Sequence, residues 1–299
     1  MDHVVFYDES ENLFENRKMK VCLVPVCFNA YDDAFRFLES IDHAFNNCSN
    51  LTLNIIFADN STISPNIDIS RRECAYSFHY MKNDNVGYFP AFNKALCNLS
   101  EGIDNYDYVI VCNVDLVVAE DFFSSLLINQ PSDQIGLLAP GIFSDKDGRN
   151  LNPKMMHRPS KRKIEMMHLI CSSVMLFFWY GKLASVRQQV RAWRQQWNRR
   201  IPTSTTHMQE CEMYGAHGSF MIFTRSYFAQ GAHVFYPRFL FGEEVFVAEQ
   251  LRMHGLKIKN APNIQIFDKE HASTSRVKLN FICSEHKKSY DYLKEHFFS

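Results

Sequence analysis

Residues 108–118 of the chain read YVIVCNVDLVV, an apolar run that is interrupted at Asn113 and Asp115 and then resumes. The run Tyr108–Cys112 is typical of a strand that is buried on both faces. Asn113 and Asp115 are two positions apart, so in an extended chain they project in the same direction. A carboxylate between apolar runs is costly to bury without a partner, and this one is placed to hold a divalent metal against a diphosphate. The alternative is an ordinary strand end that is capped by a polar residue.

Apolar runs of the same kind recur on both sides of this segment, and helical patterns separate them. The repetition of strand, helix and strand predicts an α/β layer with a largely parallel sheet, whose ligand site lies at the carboxyl ends of the strands. After Pro140 the alternation breaks down, and regular patterning returns at Ser219–Thr224 and in a helix-like run from Glu243. The other predicted strands are Val21–Phe28, Leu53–Ala58 and Ile135–Ala139, and the predicted helices are Asp32–Phe45, Pro90–Leu99 and Ala119–Ile128.

The composition is that of a soluble globular protein. The chain has 299 residues, of which 46% are hydrophobic and 22% are charged, and its formal net charge is −1. These values exclude wholesale disorder, a collagen-like repeat and nucleic-acid binding that is driven by overall charge. The even balance hides an asymmetry, because residues 151–200 carry 11 Lys and Arg but only one acid, Glu165. We therefore expect a basic surface on an otherwise neutral chain, and no nucleic-acid partner.

Cysteine usage and the N-terminal sequence bear on the compartment. The nine cysteines include no C-x-x-C pair and no Cys/His cluster with zinc spacing, which indicates buried thiols in a reducing compartment. The opening MDHVVFYDESENLFENRK is too acidic and polar for a signal peptide. Residues 166–181 contain no Asp, Glu, Lys or Arg, but these 16 residues fall short of the ~20 that span a bilayer. We expect a cytoplasmic protein.

Two further carboxylate positions lie next to predicted elements. Asp59, in IIFADNST, follows a strand, where it is placed either to accept hydrogen bonds from a base or ribose or to form an Asx turn. Glu243 and Glu244 are adjacent, and their repulsion favours a raised pKa for one of them, which suits a base near neutral pH. Acids are also common in the first turn of a helix because of its dipole, so this pair does not decide the function alone.

Residues 83–96, NDNVGYFPAFNKAL, form a polar, glycine-bearing loop that enters a helix, an arrangement suited to a sugar nucleotide. The chain contains neither a Walker loop nor a G-x-G-x-x-G fingerprint. A dinucleotide-binding or P-loop reading therefore has no support in the sequence.

Taken in order, these motifs resemble those of a family 2 glycosyltransferase of the GT-A fold, over about residues 20–295. The most similar branch is that of the bacterial rhamnosyltransferase-like enzymes that build surface polysaccharides. The resemblance implies an α/β, Rossmann-like, mostly parallel sheet flanked by helices, here with a helical basic insert. It also implies inverting transfer of a sugar from a nucleotide-sugar to a saccharide or lipid-linked acceptor, with Mg²⁺ or Mn²⁺. The motifs are PVCFNA, FADNST, NDNVGYFPAFNKAL, VIVCNVD, YGAHGSFMIFTR, FGEEVFVAEQLRMHG and DKEHASTS.

Carried over by position, the resemblance assigns the donor side of the site. Asp115 would carry the metal, with Asn113 standing where some members of the family have Asp. His271, in EHASTS, corresponds to a late histidine that approaches the metal or the diphosphate. The residues that would face the nucleotide are Asn29 and Asp59, and those of the loop beside the donor are Asn85, Gly87 and Asn93.

The resemblance also assigns the acceptor side. Glu243 and Glu244 fall on a Glu-Asp pair, which places the catalytic base at Glu244 and leaves Glu243 as the other candidate. Two departures from the family pattern are Phe246, in place of an Asp, and Gln250, in place of an Arg. The segment that would line the acceptor side is Gly215, Ala216 and His217.

We divide the chain by composition and motif. Residues 1–19 are an N-terminal extension, and 20–150 are the nucleotide-sugar-binding half. Residues 151–205 are the basic and apolar helical insert. Residues 206–299 are the acceptor-side half, which closes with a helix over HKKSYDYLKEHFF.

Within the insert, residues 185–200 read SVRQQVRAWRQQWNRR and place apolar and aromatic residues on one helical stripe beside a row of arginines. This pattern is typical of a helix that docks on an anionic membrane surface. A helix that covers the sheet and a subunit interface of a homodimer fit it as well. We expect peripheral contact with the inner membrane, since that would serve a lipid-linked acceptor. The stripe is Val186, Val190, Trp193 and Trp197, and the row of arginines is Arg187, Arg191 and Arg194.

Two rival functions are open at this point. A sugar-nucleotide pyrophosphorylase would need a glycine-rich phosphate loop near the N-terminus, and PVCFNAYDD contains no glycine. A nucleotide-sugar or membrane-surface binding subunit that has lost catalysis is the other rival, and the departures at Asn113 and Phe246 favour it. Hydrolysis of the donor in the absence of an acceptor distinguishes an enzyme from such a subunit.

Overall fold

The apolar runs form the centre of a mixed sheet with eight strands in the described part of the chain. The strands are β1 (Met19–Cys27), β2 (Leu51–Asp59), β3 (Ser77–Lys82), β4 (Tyr108–Asn113), β5 (Leu116–Val118), β6 (Ile135–Ser144), β7 (Phe220–Thr224) and β8 (Lys257–Asp268). The computed structural model describes residues 18–64, 69–198, 213–269 and 278–299, and the side chains of 188, 189 and 191–198 lie outside that description.

The strand order across the sheet is β3-β2-β1-β4-β7-β6-β8-β5. Strands β1 to β4 are parallel to one another, and β6 and β8 run in the same direction as they do. Strand β7 runs against β4 and β6, and β5 runs against β8. Six of the eight described strands therefore share one direction, which confirms the predicted mostly parallel α/β sheet.

Helices flank this sheet on both faces, as predicted. Along the first of them, Ala34, Phe37, Leu38 and Ile41 follow the spacing of one buried helical face. The structure describes α1 (Tyr31–Asn46), α2 (Tyr88–Cys97), α3 (Phe122–Ile128), α4 (Lys161–Cys171), α5 (Val174–Asn198), α6 (Arg225–Ala229), α7 (Glu243–Met253) and α8 (Leu279–Phe297).

The sheet separates two apolar cores because successive side chains of a strand point to opposite faces. Strand β1 shows this directly: Val21 and Leu23 enter the core that α1 and α3 cover, whereas Cys22 and Val24 enter the core on the other face. That second core is covered by α2, α7 and α8. The many aromatic residues of the sequence fill both cores, and the largest fully buried side chains are mostly Phe and Tyr.

Three strands were missed by the pattern analysis, each for a local reason. Strand β3 is an edge strand of partly exposed and exposed residues, so it lacks a continuous apolar run. Strand β5 has only three residues. Strand β8 contains Pro262, and its pairing with β6 shifts register between Pro140 and Gly141, where a proline is tolerated because the ladder is interrupted.

Helices α4 and α5 form a bent pair within the predicted insert. Helix α4 packs on α8: Ile164 and Cys171 are buried, and the Cys283 thiol donates to the Cys171 carbonyl at 3.2 Å. No single described helix is long and apolar enough to cross a membrane. Lys161–Cys171 and Val174–Arg187, bent by 119°, meet that criterion only together, and by length and composition alone.

Candidate functional site

A cavity of about 540 Å³ opens at the carboxyl ends of the parallel strands, where the sequence placed a ligand site. Its volume lies in the range of small-molecule sites, roughly 300–1,000 Å³. It is lined by residues that follow β1, β2 and β4, by the loop before α2, and by segments near α7 and α8. The predicted site residues that it brings together are Asn85, Gly87, Asn113, Asp115 and Glu243.

Asn113 and Asp115 border the cavity from the end of β4. The backbone N–H of Asn113 donates to the Ser219 carbonyl at 2.9 Å, which joins the strand end to the segment before β7. Asp115 is partly buried, and its carbonyl accepts from the Lys269 N–H at 3.2 Å. A carboxylate residue and an amide residue, two positions apart in the chain, thus line the same cavity.

The loop before α2 is held against the opposite segment by Gly87. Its φ is 96°, and a Cβ there would lie 2.3 Å from the Phe239 carbonyl oxygen, so this position requires glycine. The next residue, Tyr88, donates its N–H to the same carbonyl at 3.1 Å. This contact brings Asn85 and the aromatic segment around Phe239 onto one cavity.

Asn60 is a cavity residue that the sequence analysis did not single out, because Asp59 beside it drew the attention in the FADNST motif. Its Nδ2 donates to the Gly87 carbonyl at 2.9 Å, which ties β2 to the loop before α2. Its Oδ1 is buried and has no hydrogen-bond partner among the described residues. Buried polar atoms are normally paired, so this oxygen is an exception at the edge of the cavity that Asn60 lines.

Asp59 lies beneath the cavity rather than in its wall. Its carboxylate is fully buried and accepts hydrogen bonds from the Tyr31 hydroxyl at 2.9 Å and from the Lys82 ammonium at 3.0 Å. Burial opposes its ionisation, but hydrogen bonds from Ser61, Tyr80 and Lys82 outweigh burial and lower its pKa. Asp59 therefore organises the loop that carries Asn60, and its direct contact with a nucleotide stays a prediction.

Asn29 and Asn93 also lie outside the cavity wall. Asn29 has a φ of 54°, and its Oδ1 accepts from the Thr62 N–H at 2.9 Å, so it joins the loops after β1 and β2. Asn93 is partly buried in the second turn of α2. A role of either side chain at a nucleotide stays a prediction.

Glu243 and Glu244 form the first turn of α7, and Gly218 leaves room for both carboxylates. A Cβ at position 218 would lie 3.1 Å from Glu243 Oε1 and 3.2 Å from Glu244 Oε1. Glu243 and Gly218 border the cavity. Burial, and then the charge of Glu244, raise the pKa of Glu243 to about 8. The pair is therefore expected to retain one proton near neutral pH.

An ion cluster around one buried carboxylate holds α7 in place. Glu249 is fully buried in that helix, and Arg158 donates a hydrogen bond to each of its carboxylate oxygens, at 2.7 and 3.1 Å. The Tyr214 hydroxyl donates to the same carboxylate at 2.6 Å, and Arg252 donates at 2.9 Å. These bonds satisfy a charge that would otherwise be costly to bury, so the first turn of α7 is presented on a rigid base.

The predicted acceptor segment, residues 215–217, lies beside the cavity and makes contacts within the protein. Gly215 pairs with Met155, whose N–H donates to the Gly215 carbonyl at 3.0 Å. Ala216 is buried, and His217 donates its N–H to Asn152 Oδ1 at 2.7 Å. Of this segment, it is the following residue, Gly218, that borders the cavity. Contact of the three predicted residues with an acceptor stays a prediction.

The remaining wall was not visible in the sequence. It includes Phe239, Phe241 and Phe281, together with the cation Lys278 at the start of α8. Phe241 has a φ of 67°, and its ring stacks on the His286 ring with centroids 3.7 Å apart. No local sequence pattern identifies these residues, because they reach the cavity only through the tertiary packing of the segment before α7 on α8.

The cavity offers a divalent metal only a small number of protein ligands. Among the described residues, no three His, Cys, Asp or Glu side chains come together as a metal site. Mg²⁺ is commonly held by one or two carboxylates, with substrate phosphates and water as its other ligands. Asp115 and the amide of Asn113 satisfy that minimum if a diphosphate is bound. His271 lies outside the described residues.

The raised pKa of Glu243 predicts how stability depends on pH. The folded chain holds a proton on Glu243 up to about pH 8, whereas the unfolded chain releases it near the ordinary value of 4.5. Between these values the folded state binds more protons, so stability falls as pH rises, by up to about 1.4 kcal/mol per pH unit. The partly buried His233 and His286 have lowered pKa values and oppose this trend below their ordinary value of 6.5. Urea unfolding from pH 6.5 to pH 8 should therefore show the fall, and Glu243→Gln should remove it.

The matched control for that experiment is Glu120→Gln, which changes an exposed acid. It should leave the pH dependence of the wild type unchanged. A wild-type slope that Glu243→Gln does not alter would show that Glu243 titrates as an ordinary acid.

Comparison with solved structures shows the fold. The crystal structure of GalNAc-T7 with UDP, GalNAc and Mn²⁺ aligns at a TM-score of 0.56 and 13% identity, over 95% of this chain and 50% of that one. Staphylococcus aureus TarS aligns at a TM-score of 0.50 and 9% identity, over 93% of this chain and 44% of TarS. The fold is thus GT-A, the architecture of nucleotide-sugar glycosyltransferases, as the sequence motifs predicted.

A third structure of the same fold is the mannosyltransferase PcManGT from Pyrobaculum calidifontis, in complex with GDP-Man and Mn²⁺. It aligns at a TM-score of 0.50 and 11% identity, over 86% of this chain and 59% of that one. This chain therefore spans between 44% and 59% of the lengths of the three structures. No family model matches the sequence, and no curated protein is similar to it by sequence.

Proposed function

We propose that the chain is an inverting glycosyltransferase that moves a sugar from a nucleotide-sugar donor to a hydroxyl of a saccharide or lipid-linked saccharide. One observation carries the proposal: a single cavity at the strand ends of a GT-A fold is bordered by Asp115 and by the first turn of α7. Asp115 would serve the leaving diphosphate, and the acid pair of α7 would serve the attacking hydroxyl. Similar folds in solved structures hold UDP with Mn²⁺ or GDP-Man with Mn²⁺.

The donor would lie along the wall formed by the ends of β2 and β4. Asn60 lines this wall, and a small rotation of its side chain would let the unpaired Oδ1 accept a hydrogen bond from the nucleotide. Lys278 brings a positive charge to the cavity, which favours a diphosphate. Asp115 and Asn113 would hold Mg²⁺ or Mn²⁺, and that ion, when bound, would neutralise charge on the leaving diphosphate.

The acceptor hydroxyl would meet the acid pair of α7. Burial and the charge of Glu244 raise the pKa of Glu243, so the two adjacent acids share one proton near neutral pH. We assign that proton to Glu243 and the role of base to Glu244, as the resemblance implies. Glu244 takes the proton of the hydroxyl, and that oxygen attacks the anomeric carbon on the side opposite the diphosphate. The bond from the sugar to the diphosphate breaks in the same displacement, so the anomeric configuration inverts without a covalent intermediate.

Family 2 membership and the rhamnosyltransferase-like branch belong to this proposal, on the support of the ordered motifs quoted above. The biological role that follows is synthesis of capsule, O-antigen or another cell-surface polysaccharide at the cytoplasmic face of the membrane. The transferred unit would be a hexose or a deoxyhexose.

The reaction itself is tested by the stereochemistry of the product. The purified chain is incubated with the nucleotide-sugar that it binds and with candidate saccharide acceptors. The anomeric configuration of the product is then read from its NMR coupling constant. Inversion relative to the donor supports the proposal. Retention of configuration would overturn the single-displacement mechanism and the role of Glu244.

A binding subunit without catalysis is the second candidate. The amide at Asn113 favours it, since the metal motif then holds one carboxylate, and no three metal-binding side chains cluster in the described part of the chain. Such a subunit would bind the donor with ordinary affinity and neither transfer nor hydrolyse it. Slow release of free sugar from the donor without acceptor would exclude this candidate.

Lys278→Ala is expected to weaken donor binding by about tenfold, because one contact to a charged group contributes roughly 1.5–3 kcal/mol and part of it is screened by solvent. The measurement is a calorimetric titration with the nucleoside diphosphate of the donor. Lys294→Ala, which removes an exposed cation from the same helix, is the control and should not change the affinity. Equal affinities for the wild type and Lys278→Ala would contradict the assignment.

A further inference from the structure

Helix α5 presents an exposed apolar stripe to the solvent. The stripe consists of Met175, Leu176, Trp179, Leu183, Val186 and Val190, and each of these side chains is exposed in the structure. At 3.6 residues per turn, the six positions fall within about a third of the helix circumference. Trp179 is 59% exposed and Leu183 is 62% exposed, and no described residue covers them. An apolar surface of this length that no described residue covers indicates a contact site.

The same helix is not covering the sheet. All residues from 181 to 187 are exposed, so this part of α5 extends away from the described body of the protein. Near its N-terminus, which we call the root, α5 contacts this body: the centroid of the Phe177 ring lies 5.5 Å from that of the His286 ring of α8. The sheet-covering alternative from the sequence therefore does not apply to the described side chains of α5.

The charges around the stripe are of one sign. Residues 166–190 contain no Asp or Glu. Lys182 and Arg187 are exposed and, by helical position, flank the stripe on its two sides. Lys161, Arg162 and Lys163 begin α4 and are exposed as well. Apolar and tryptophan side chains between cations suit an interface where acyl chains lie beneath anionic headgroups.

The stripe begins close to the cavity. His286, which contacts Phe177 at the root of α5, stacks on Phe241 in the cavity wall. Two cavity residues, Phe28 and Phe281, are themselves exposed aromatics at the rim. A surface that receives the stripe would therefore lie near the mouth of the cavity.

We propose that the apolar stripe of α5 inserts into the surface of an anionic membrane, with Lys182 and Arg187 on the lipid headgroups. The helix lies in the interface and does not span the bilayer. The membrane contact depends only on α5. That it delivers a lipid-linked acceptor to the cavity rests on the proposed function.

Intrinsic fluorescence tests the insertion directly, because the three tryptophans of the chain are at 179, 193 and 197, all within α5. The full chain is titrated with phosphatidylcholine vesicles, with or without phosphatidylglycerol. We expect a blue shift of the emission and co-flotation with the anionic vesicles, weakened by salt. Absence of both with anionic vesicles would overturn the proposal.

Two double variants separate insertion from simple charge attraction. Leu183→Glu with Val186→Glu places two acids on the stripe, whereas Ala184→Glu with Ser185→Glu places the same two charges on the other side of the helix. The four positions are exposed, so neither variant removes a buried contact. We expect the first to lose at least about tenfold in vesicle affinity and the second less than about threefold. Equal losses would show that charge alone attracts the helix and would overturn insertion.

A second copy of the chain is the competing occupant of the stripe. Light scattering of the lipid-free protein would then show a dimer that Leu183→Glu with Val186→Glu dissociates, and vesicles would cause no blue shift. That result would overturn the membrane proposal. Donor binding is measured in the same preparations and is expected to be equal in the wild type and both variants, so a failure of the proposed function is recognised separately.

Discussion

Glu244→Gln is expected to lower the rate of sugar transfer by about 10²- to 10⁴-fold, the usual effect of removing a general base. The amide keeps the size of the side chain but cannot take a proton from the acceptor hydroxyl. In the proposed arrangement the donor is held by the ends of β2 and β4 and not by the Glu244 carboxylate, so its affinity should change by less than about twofold. The measurement is kcat for transfer together with a calorimetric titration of the donor.

Glu243→Gln is the matched comparison, since it makes the same change one residue earlier in the same turn. The pKa of Glu243 is raised to about 8, so this group already carries a proton at neutral pH, and the amide preserves a hydrogen-bond donor. We expect transfer to fall by less than about tenfold at pH 7. If Glu243→Gln abolishes transfer while Glu244→Gln retains it, the roles of the two residues are reversed.

Asp115→Ala is expected to weaken donor binding in the presence of Mn²⁺ by about 100-fold. Asp115 is the carboxylate that would hold the cation against the diphosphate, and a charged contact of this kind contributes roughly 1.5–3 kcal/mol. In EDTA the wild type and the variant should bind the donor with similar, weak affinity. The measurement is a donor titration of both proteins in each condition.

The control is Asp133→Ala, which removes an exposed acid far from the strand ends, in the loop before β6. It should bind donor and Mn²⁺ as the wild type does. Asn113→Asp adds a carboxylate beside Asp115 and is expected to strengthen the dependence on the cation. A donor affinity that neither Asp115→Ala nor EDTA lowers would remove the metal from the account.

The sheet was predictable where its strands are buried on both faces. β1, β2 and β4 are largely apolar runs, and their predicted ends differ from the observed ones by at most two residues. β3 and β8 could not be predicted in this way, because one is a polar edge strand and the other is interrupted at Pro262. Tertiary pairing, rather than local pattern, makes these segments strands.

Residues of the cavity were predictable where a polar side chain directly follows the end of a buried strand. Asn113 and Asp115 were placed from β4 alone, and the structure puts both on the cavity. The expected nucleotide contact at Asp59 could not be separated from a structural role by sequence, because the same carboxylate also suits an Asx turn. In the structure the Asp59 carboxylate accepts hydrogen bonds from Tyr31, Tyr80 and Lys82.

The aromatic and cationic wall was not predictable from local sequence. Phe239, Phe241 and Lys278 come from segments that are far from β4 along the chain. They reach the cavity because Gly87 allows a close approach to Phe239, and because Phe241 stacks on α8. Such contacts depend on how helices and loops pack together. Hydrophobic periodicity and motif spacing describe only residues that are near each other in the chain, so they do not predict these contacts.

The central claim is that the cavity at the strand ends is a nucleotide-sugar site, and a titration of the wild type tests it most directly. The chain is titrated by calorimetry with a panel of UDP-, GDP-, TDP- and CMP-sugars, each in Mn²⁺ and in EDTA. We expect one of these donors to bind at one site per chain, more tightly in Mn²⁺ than in EDTA. Binding of none of them in either condition would contradict the account.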